Sequence, residues 1–230
     1  MKTALRFVLA LIVTILLMLA FRALVFTVYT VRGTALEPVL MDGDRVIVNR
    51  WSYGLRAGDG RLFGYARWIG RQVGRGDLAV FNNPADTLRP VHRREALACY
   101  CTGVPGDTVT ASGVRLTVPG KDVVIGVTPA NARLIGYLYD RYEGRRTAVK
   151  NGMLCVDGRR VKYATFTKDY YWFSSGHASD TCDSRFFGFV PEDFIVGKVV
   201  MLLYSLDGAA RFSGRLRDGR LLLFIRNEAD

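Results

Sequence analysis

Residues 31–50 (VRGTALEPVLMDGDRVIVNR) have the composition of an active-site loop that leads into a β-strand. A glycine, a small polar residue and a proline-fixed turn come first, and Gly43-Asp44 then introduces an alternation of apolar and polar residues. The position at which such a loop would present a nucleophile is Ala35, whose methyl group has no nucleophilic atom. Any chemistry of this chain must therefore come from other residues.

Thiol and imidazole groups, which supply nucleophiles and metal ligands, are few. His92 and His177 are the only histidines of the sequence. Cys99-x-Cys101 lacks the spacing of a zinc knuckle and has no second cysteine pair to complete a site. We therefore expect no metal site and no cofactor.

The N-terminus has the character of a membrane anchor. Residues 7–21 (FVLALIVTILLMLAF) carry no charge, and an apolar run continues after Arg22 to Val31. A bilayer span needs about 20 residues, and the long stem of Arg22 can reach the interface. The alternative is a cleaved signal peptide, but Ala20, Phe21 and Arg22 do not form the small-residue cleavage site that it requires.

The charges around this span predict its orientation. Lys2 and Arg6 precede it in a short tail, which the positive-inside rule leaves in the cytoplasm. We expect residues 1–31 to be the cytoplasmic tail and a single-pass anchor in the inner membrane, and residues 32–230 to lie on the periplasmic side.

Export to an oxidising compartment leaves two interpretations of the cysteines. One disulfide is compatible with that location, whereas small buried thiols are the simpler alternative. The sequence does not choose between them. The cysteines concerned are Cys99, Cys101, Cys155 and Cys182.

The formal net charge of +11 suits an anionic partner. The 32 Lys and Arg residues are spread along the chain and do not form a basic stripe with stacking aromatics, which argues against nucleic acid. Behind an anchor, membrane lipid is the expected partner, and a solvated basic surface is the alternative. One candidate lipid contact is the glycine- and arginine-rich loop 56–76, with Trp68 and Arg56, Arg61, Arg67, Arg71 and Arg75.

Short alternating runs dominate the rest of the chain and predict a mainly β domain. One segment, residues 128–144, has helical period: Thr128 can cap it, and Leu134, Leu138 and Tyr142 fall on one face. We expect this helix to interrupt an otherwise β-rich domain. The predicted strands are residues 44–50, 77–83, 107–118, 153–161 and 197–205.

Several motifs, in order behind the apolar N-terminus, resemble those of type I signal peptidases, the membrane-anchored serine peptidases that remove signal peptides. The inserted segment 128–144 is similar to the Bacteroidetes-type form. The resemblance covers nearly the whole chain. Its motifs are residues 33–40 (GTALEPVL), 75–81 (RGDLAVF), 103–109 (GVPGDTV) and 183–193 (DSRFFGFVPED), and the closing pair Gly197-Lys198.

The resemblance implies a serine–lysine dyad, in which a neutral lysine takes the proton of the serine. Aligned on the motifs, the serine position is Ala35 and the lysine position is Cys99, so both residues are replaced. Arg93 and Arg94 cannot serve as the base because a guanidinium stays protonated. The last motif retains four residues: Thr181, Asp183, Ser184 and Arg185.

The resemblance further implies coiled antiparallel sheets and a groove for an extended peptide beside two segments. We expect a binding groove to persist although the dyad is lost. Its candidate residues are Gly33, Thr34, Leu36 and Pro38 in the first segment and Asp77, Leu78, Ala79, Val80 and Phe81 in the second.

Two function classes remain open at this stage. The first is a pseudoenzyme that binds exported preproteins or partners an active signal peptidase. The second is a peptidase with a non-standard nucleophile, either Thr34 or Cys99 with His177 as the base. The first is favoured, because Cys99 lies in an apolar strand sequence and His177 in a polar loop.

Overall fold

A computed structural model of the chain describes most of its residues, and these group into two compact units. The first unit comprises Met1–Gln72 and Val196–Arg226, and the second comprises Val73–Ile195 and Asn227–Asp230. The described residues are 2–57, 66–68, 70–111, 113–175, 183–207 and 215–225.

Strands account for most of the regular structure. In chain order they are β1 (Phe26–Thr30), β2 (Asp44–Asn49), β3 (Leu55–Ala57), β4 (Ala66–Trp68), β5 (Leu78–Asn82), β6 (Ala96–Gly103), β7 (Thr108–Ala111), β8 (Val114–Thr117), β9 (Ile125–Gly126), β10 (Thr147–Lys150), β11 (Met153–Val156), β12 (Arg159–Arg160), β13 (Tyr163–Ala164), β14 (Tyr170–Ser174), β15 (Val190–Pro191), β16 (Ile195–Leu206) and β17 (Leu216–Phe224).

Helices are fewer. The α-helices are α1 (Lys2–Val25), α2 (Ala132–Leu138) and α3 (Ser184–Phe187). Short 3₁₀ turns lie at Val91–Arg93 and Glu192–Phe194, and one π-helical turn, Tyr139–Glu143, continues α2.

The first unit is built on an antiparallel sheet in the order β1–β2–β16–β17. Alternate residues of β2 project to its inner face, where Val46 and Val48 are buried. Register shifts along β16, between Val199 and Met201 and between Leu202 and Tyr204, give the strand the irregularity that accompanies strong twist. A separate hairpin joins β3 and β4.

The second unit contains the antiparallel order β5–β6–β14–β15, with smaller sheets β7–β8, β9–β13 and β10–β11–β12. Aromatic side chains fill its core: the rings of Phe81 and Phe173 stack at 4.4 Å, and Phe187 meets Phe81 edge-on. The predicted mainly β fold with curled antiparallel sheets is therefore confirmed.

The inserted helix is present but starts later than its capping residue suggests. Thr128 and Asn131 first form a turn, in which the Asn131 side-chain oxygen accepts from the Thr128 N–H at 2.8 Å, and α2 begins after it. Its buried face includes Ile135 and Leu138. The helical segment ends at Gly144, whose φ of 66° provides the left-handed C-cap.

The N-terminal helix is shorter than the predicted anchor of residues 1–31. Helix α1 ends at Val25, and the run FTVYT that follows is strand β1, paired with β2 through partners such as Val28 and Ile47. Its β-branched and aromatic residues suit a strand. Within the described part of the chain, no helix combines the length and the apolar character needed to cross a membrane. The anchor stays a prediction.

Three other expectations need correction. Residues 153–161 form the hairpin β11–β12 and not one strand, because Asp157 and Gly158 adopt φ values of 49° and 81° that turn the chain. Residues 107–118 form the hairpin β7–β8 and not one strand, because Gly113 adopts a φ of 77° that turns the chain. The loop 56–76 is not entirely irregular, since β3 and β4 pair within it. Residues 58–65 and 69 lie outside the described part, so the lipid-contact hypothesis for this loop stays a prediction.

Candidate functional site

The first motif forms a tight loop between β1 and β2. Its backbone is held by local hydrogen bonds: the Glu37 N–H donates to the Thr34 carbonyl at 3.1 Å, and the Leu40 N–H donates to the Leu36 carbonyl at 2.9 Å. The Gly33 N–H donates to the carboxylate of Asp42 at 2.9 Å. The peptide bond between Glu37 and Pro38 is cis. These local hydrogen bonds therefore define the shape of the loop.

Some side chains of this loop are buried, and others are exposed to solvent. Ala35, Leu36 and Leu40 are buried, with Leu40 completely shielded from solvent. Thr34 and Pro38 are exposed. The residue at position 35 therefore contributes only a methyl group, and the hydroxyl available nearby is that of Thr34.

The second candidate segment is strand β5 of the other unit. Its side chains are core residues, since Leu78, Ala79, Val80 and Phe81 are each at most 1% exposed. Strand β5 pairs with β6 along one edge, with Ala79 opposite Cys99. Asp77 precedes the strand and accepts a hydrogen bond from the Gly74 N–H at 2.9 Å. The assignment of this segment to a groove stays a prediction.

Cys99, which the motifs predict to be the position of the second dyad residue, lies in the middle of β6 and is 0% exposed. Its neighbour Cys101 is equally buried and donates its S–H to the Gly103 carbonyl at 3.6 Å. Burial raises the pKa of the Cys101 thiol to about 12. Among the described cysteines, Cys99, Cys101 and Cys155 are thiols, and Cys182 lies outside the described residues.

The last motif caps helix α3. The Asp183 carboxylate accepts hydrogen bonds from the Arg185 N–H at 2.7 Å, the Arg185 guanidinium at 2.8 Å and the Ser174 hydroxyl at 2.9 Å. Ser184 accepts from the Phe173 N–H at 2.9 Å. These bonds join the start of α3 to the end of β14.

The environment of Asp183 favours its charged form. Burial opposes ionisation, but the hydrogen bonds from Arg185, Ser174 and Ser175 outweigh it and lower the pKa of Asp183 below its ordinary value. The same pairing raises the pKa of Arg185. Thr181 and His177, the other candidates of this region, lie outside the described residues.

No metal centre is found in the described part of the chain, where no three His, Cys, Asp or Glu residues are grouped to hold an ion.

The predicted site residues fall into two sets. The loop residues 33–38 belong to the first unit, and Asp77–Phe81, Cys99 and Asp183–Arg185 belong to the second.

Sequence reasoning missed one feature of the first unit, the role of Asp44. It was assigned only to a turn leading into a strand, yet it is completely buried and forms an ion pair with Arg220. Because these residues are far apart in the chain, no local spacing could have indicated their contact.

Comparison of the sequence with known proteins identifies the family of this chain. A family model described as signal peptidase, peptidase S26 matches residues 4–204, and the chain belongs to this family. It is 27% identical over 200 residues to signal peptidase I T of Bacillus subtilis (86% of this chain and 84% of that protein). It is 24% identical over 195 residues to probable signal peptidase I-2 of Synechocystis (85% and 71%), and 24% identical over 198 residues to signal peptidase IB of Staphylococcus aureus (86% and 88%).

The resemblance drawn from the motifs is therefore confirmed at the level of the family. The assignment of Ala35 and Cys99 to the dyad positions stays a prediction.

Proposed function

We propose that this chain is a catalytically inactive signal peptidase homologue that binds the signal peptides of exported proteins without cleaving them. The observation that carries the proposal is the burial of Cys99: the residue at the base position is fully shielded and lies opposite Ala79. A buried thiol in an apolar strand is core filling and carries no amine to accept a proton.

The nucleophile position supports the same conclusion. Ala35 has no side-chain oxygen to act as a nucleophile. The two other candidate nucleophiles, Thr34 and Cys99, each lack a condition that catalysis requires. Thr34 is exposed, but a threonine hydroxyl becomes a nucleophile only beside a base. Cys99 is shielded from any substrate carbonyl. Loss of a serine nucleophile in another protease lowers turnover by about 10⁶, so the binding contacts that remain do not restore useful cleavage.

Binding does not need the dyad. The loop between β1 and β2 keeps a hydrogen-bonded shape and exposes Thr34, Pro38 and Val39, the last 46% exposed. An extended signal peptide with small apolar side chains fits such a surface. We propose that this loop forms one wall of the binding groove.

We also propose that the chain is held at the inner membrane by its N-terminus, with the main domain on the periplasmic side. Helix α1 exposes large apolar side chains, including Phe7 at 73% and Met18 at 71%. Lys2 and Arg6 precede its apolar centre, which supports a cytoplasmic N-terminus.

The sheet of the first unit supports a location at lipid. Cross-strand partners Val28, Ile47, Met201 and Phe224 form one apolar row across β1, β2, β16 and β17. Residues directly opposite one another share a face of a sheet, and Val28 and Phe224 are 45% and 86% exposed. An apolar face in the unit that carries α1 suits contact with a bilayer.

The experiment that tests the function reconstitutes the full chain in anionic liposomes with a fluorescent preprotein. The native chain is compared with its Ala35→Ser/Cys99→Lys variant, and signal peptidase I T of Bacillus subtilis is tested in parallel for cleavage. We expect no cleavage by the native chain, and binding of the preprotein measured by fluorescence anisotropy. Restored cleavage in the double variant, located by N-terminal sequencing of the product, would support a groove that still accepts signal peptides.

Two results would contradict the proposal. Cleavage by the native chain shows that it is an enzyme with a non-standard nucleophile, and alkylation of Cys99 then tests that residue. If the native chain neither cleaves nor binds the preprotein, a signal peptide is not its ligand. An increase in the activity of a co-reconstituted signal peptidase would then favour the role of a partner subunit.

A further inference from the structure

Strand β17 lies beyond residues 4–204, the part of the chain that the family model matches. It is paired with β16, for example Leu221 opposite Tyr204. Two arginines of this strand turn away from solvent, the side chain of Arg217 being 26% and that of Arg220 being 18% exposed. Both reach the loop formed by residues 33–42, called here the 33–42 loop.

The first contact is an ion pair at the end of the loop. The Asp44 carboxylate is completely buried, and its Oδ2 accepts from the Arg220 guanidinium at 2.5 Å and from the Met41 N–H at 2.9 Å. The Arg217 guanidinium lies 3.9 Å from Oδ1 of the same carboxylate. A buried carboxylate is stable only when paired, so these two arginines keep the Asp44 carboxylate in the place where it binds the Met41 N–H of the loop.

The second set of contacts reaches the loop backbone directly. Nη2 of Arg220 also donates to the Val39 carbonyl at 3.0 Å, and Nη1 of Arg217 donates to the Asp42 carbonyl at 2.8 Å and to the Ser205 hydroxyl at 3.0 Å. One nitrogen of Arg220 therefore joins the Asp44 carboxylate to the Val39 carbonyl through its two N–H groups.

The 33–42 loop is thereby fixed at both ends. Asp42, whose carbonyl is held by Arg217, accepts the Gly33 N–H through its side chain, so the same residue connects the C-terminal strand to the start of the loop. The Gly43 carbonyl in turn accepts from the Leu206 N–H of β16 at 3.2 Å.

We propose that Arg217 and Arg220 are positioning residues, through which strand β17 sets the shape of the 33–42 loop for peptide binding. The peptide-binding part of this inference rests on the proposed function. The positioning part concerns only the loop and can be measured without a ligand.

The first measurement is hydrogen–deuterium exchange on the full chain in detergent micelles. Arg220→Gln removes the ion pair and the bond to Val39, and Arg215→Gln is the matched control, since Arg215 is exposed and lies just before β17. We expect amides of the 33–42 loop to exchange about tenfold faster in Arg220→Gln and to be unchanged in Arg215→Gln, because a hydrogen bond to a charged group is lost in only one of them. Equal exchange in the two variants overturns the proposal.

Amides of β2 and β16 report in the same experiment whether the sheet is intact. If Arg220→Gln also loses their protection, Arg217→Gln decides, since it removes the bond to the Asp42 carbonyl and leaves the ion pair between Arg220 and Asp44 in place. Faster loop exchange with a protected sheet then supports the positioning role, and loop exchange like that of the native chain overturns it.

The second measurement is binding of a fluorescein-labelled signal peptide to the native chain and to Arg220→Gln in the same micelles. Binding that is weakened about fivefold or more, with an unchanged Tm, supports the link between loop shape and recognition. A looser loop with unchanged binding overturns that link. A native chain that binds no peptide contradicts the proposed function, whereas loop exchange alone still decides the positioning role.

Discussion

Ala79 and Cys99 are directly opposite each other in the β5–β6 ladder, and both side chains are completely shielded from solvent. Opposite residues of an antiparallel pair project from the same face, so the thiol shares its surroundings with a methyl group. The position that the motifs assign to a lysine base is therefore a core position in this chain, and a charge introduced there is costly.

The variant Cys99→Lys tests this relationship through stability. Burial disfavours the ammonium, lowers the pKa of the new lysine and destabilises the folded state by about 3 kcal/mol or more at pH 7. The folded lysine then loses its proton at a lower pH than the unfolded one. The destabilisation should therefore shrink as the pH rises through the folded pKa towards the unfolded value of about 10.4.

The control for this prediction is Cys99→Met, which adds volume without charge. Urea unfolding of both variants at pH 7 and at pH 10 separates overpacking from charge burial. A cost of the lysine variant that matches the methionine variant at both pH values would mean that the side chain reaches solvent.

Asp183→Asn should remove a pH-dependent contribution to stability. Hydrogen bonds hold the pKa of Asp183 low in the folded state, so its contribution is complete above the unfolded pKa of about 3.9 and is lost as the pH falls through the lower folded pKa. At pH 7 the variant should lose about 2–3 kcal/mol, because the bonds from Arg185 and Ser174 lose their charged acceptor.

The comparison uses urea unfolding at pH 7 and at pH 3, where the difference between native chain and variant should shrink. Asp122→Asn provides the matched control, since Asp122 is exposed and undergoes the same change of charge. If the loss of stability in Asp183→Asn stays constant down to pH 3, the asparagine destabilises the fold for steric reasons. The charge of the carboxylate is then not what stabilises the cap.

Local patterns predicted the elements with the clearest alternation. The runs that became β2, β5 and β16 were assigned from their periodicity, and the inserted helix was assigned from its 3.6-residue period. Strand β1 was not found, because the residues Phe26–Thr30 continue an apolar run and nothing in their spacing separates a strand from the end of a helix. Only pairing with β2 decides between them.

The candidate site was predictable where motifs are local and not where contacts are distant. The loop with Ala35 and the residues Asp183 and Arg185 were singled out from short motifs in the sequence, whereas the helix cap that Asp183 forms was not predicted. The pairing of Asp44 with Arg220 joins the first motif to the last strand, and a spacing of this length carries no periodic signal. The apolar neighbours of Cys99 in the sequence indicated that it is buried, and the structure confirms this.

Native-state thiol labelling should distinguish the buried Cys101 from the half-buried Cys155. Burial raises the pKa of Cys101 to about 12, so at pH 8 about one in 10⁴ molecules carries the reactive thiolate at this position. We expect N-ethylmaleimide to modify Cys155 first and Cys101 at least about 10³-fold more slowly than in the urea-unfolded chain. Peptide mass spectrometry assigns each rate, and rapid labelling of Cys101 with the sheet amides still protected would contradict its burial.

The closing Gly197-Lys198 motif yields a prediction about packing. A Cβ atom at Gly197 would overlap the Asn49 carbonyl of the neighbouring strand and lie 2.9 Å from Val48 Cγ1. Since the overlap involves backbone, the strands must move apart, and Gly197→Ala should cost about 2–3 kcal/mol in the free energy of unfolding.

Gly126→Ala is the matched control for Gly197→Ala, because Gly126 also lies in a strand and a Cβ there meets no atom within 4 Å. It should change stability by no more than about 0.5 kcal/mol. Both are measured by urea unfolding of the full chain in micelles. If the two variants are equally stable, the close approach of β16 to β2 does not require glycine, and the motif must then be explained by binding rather than by packing.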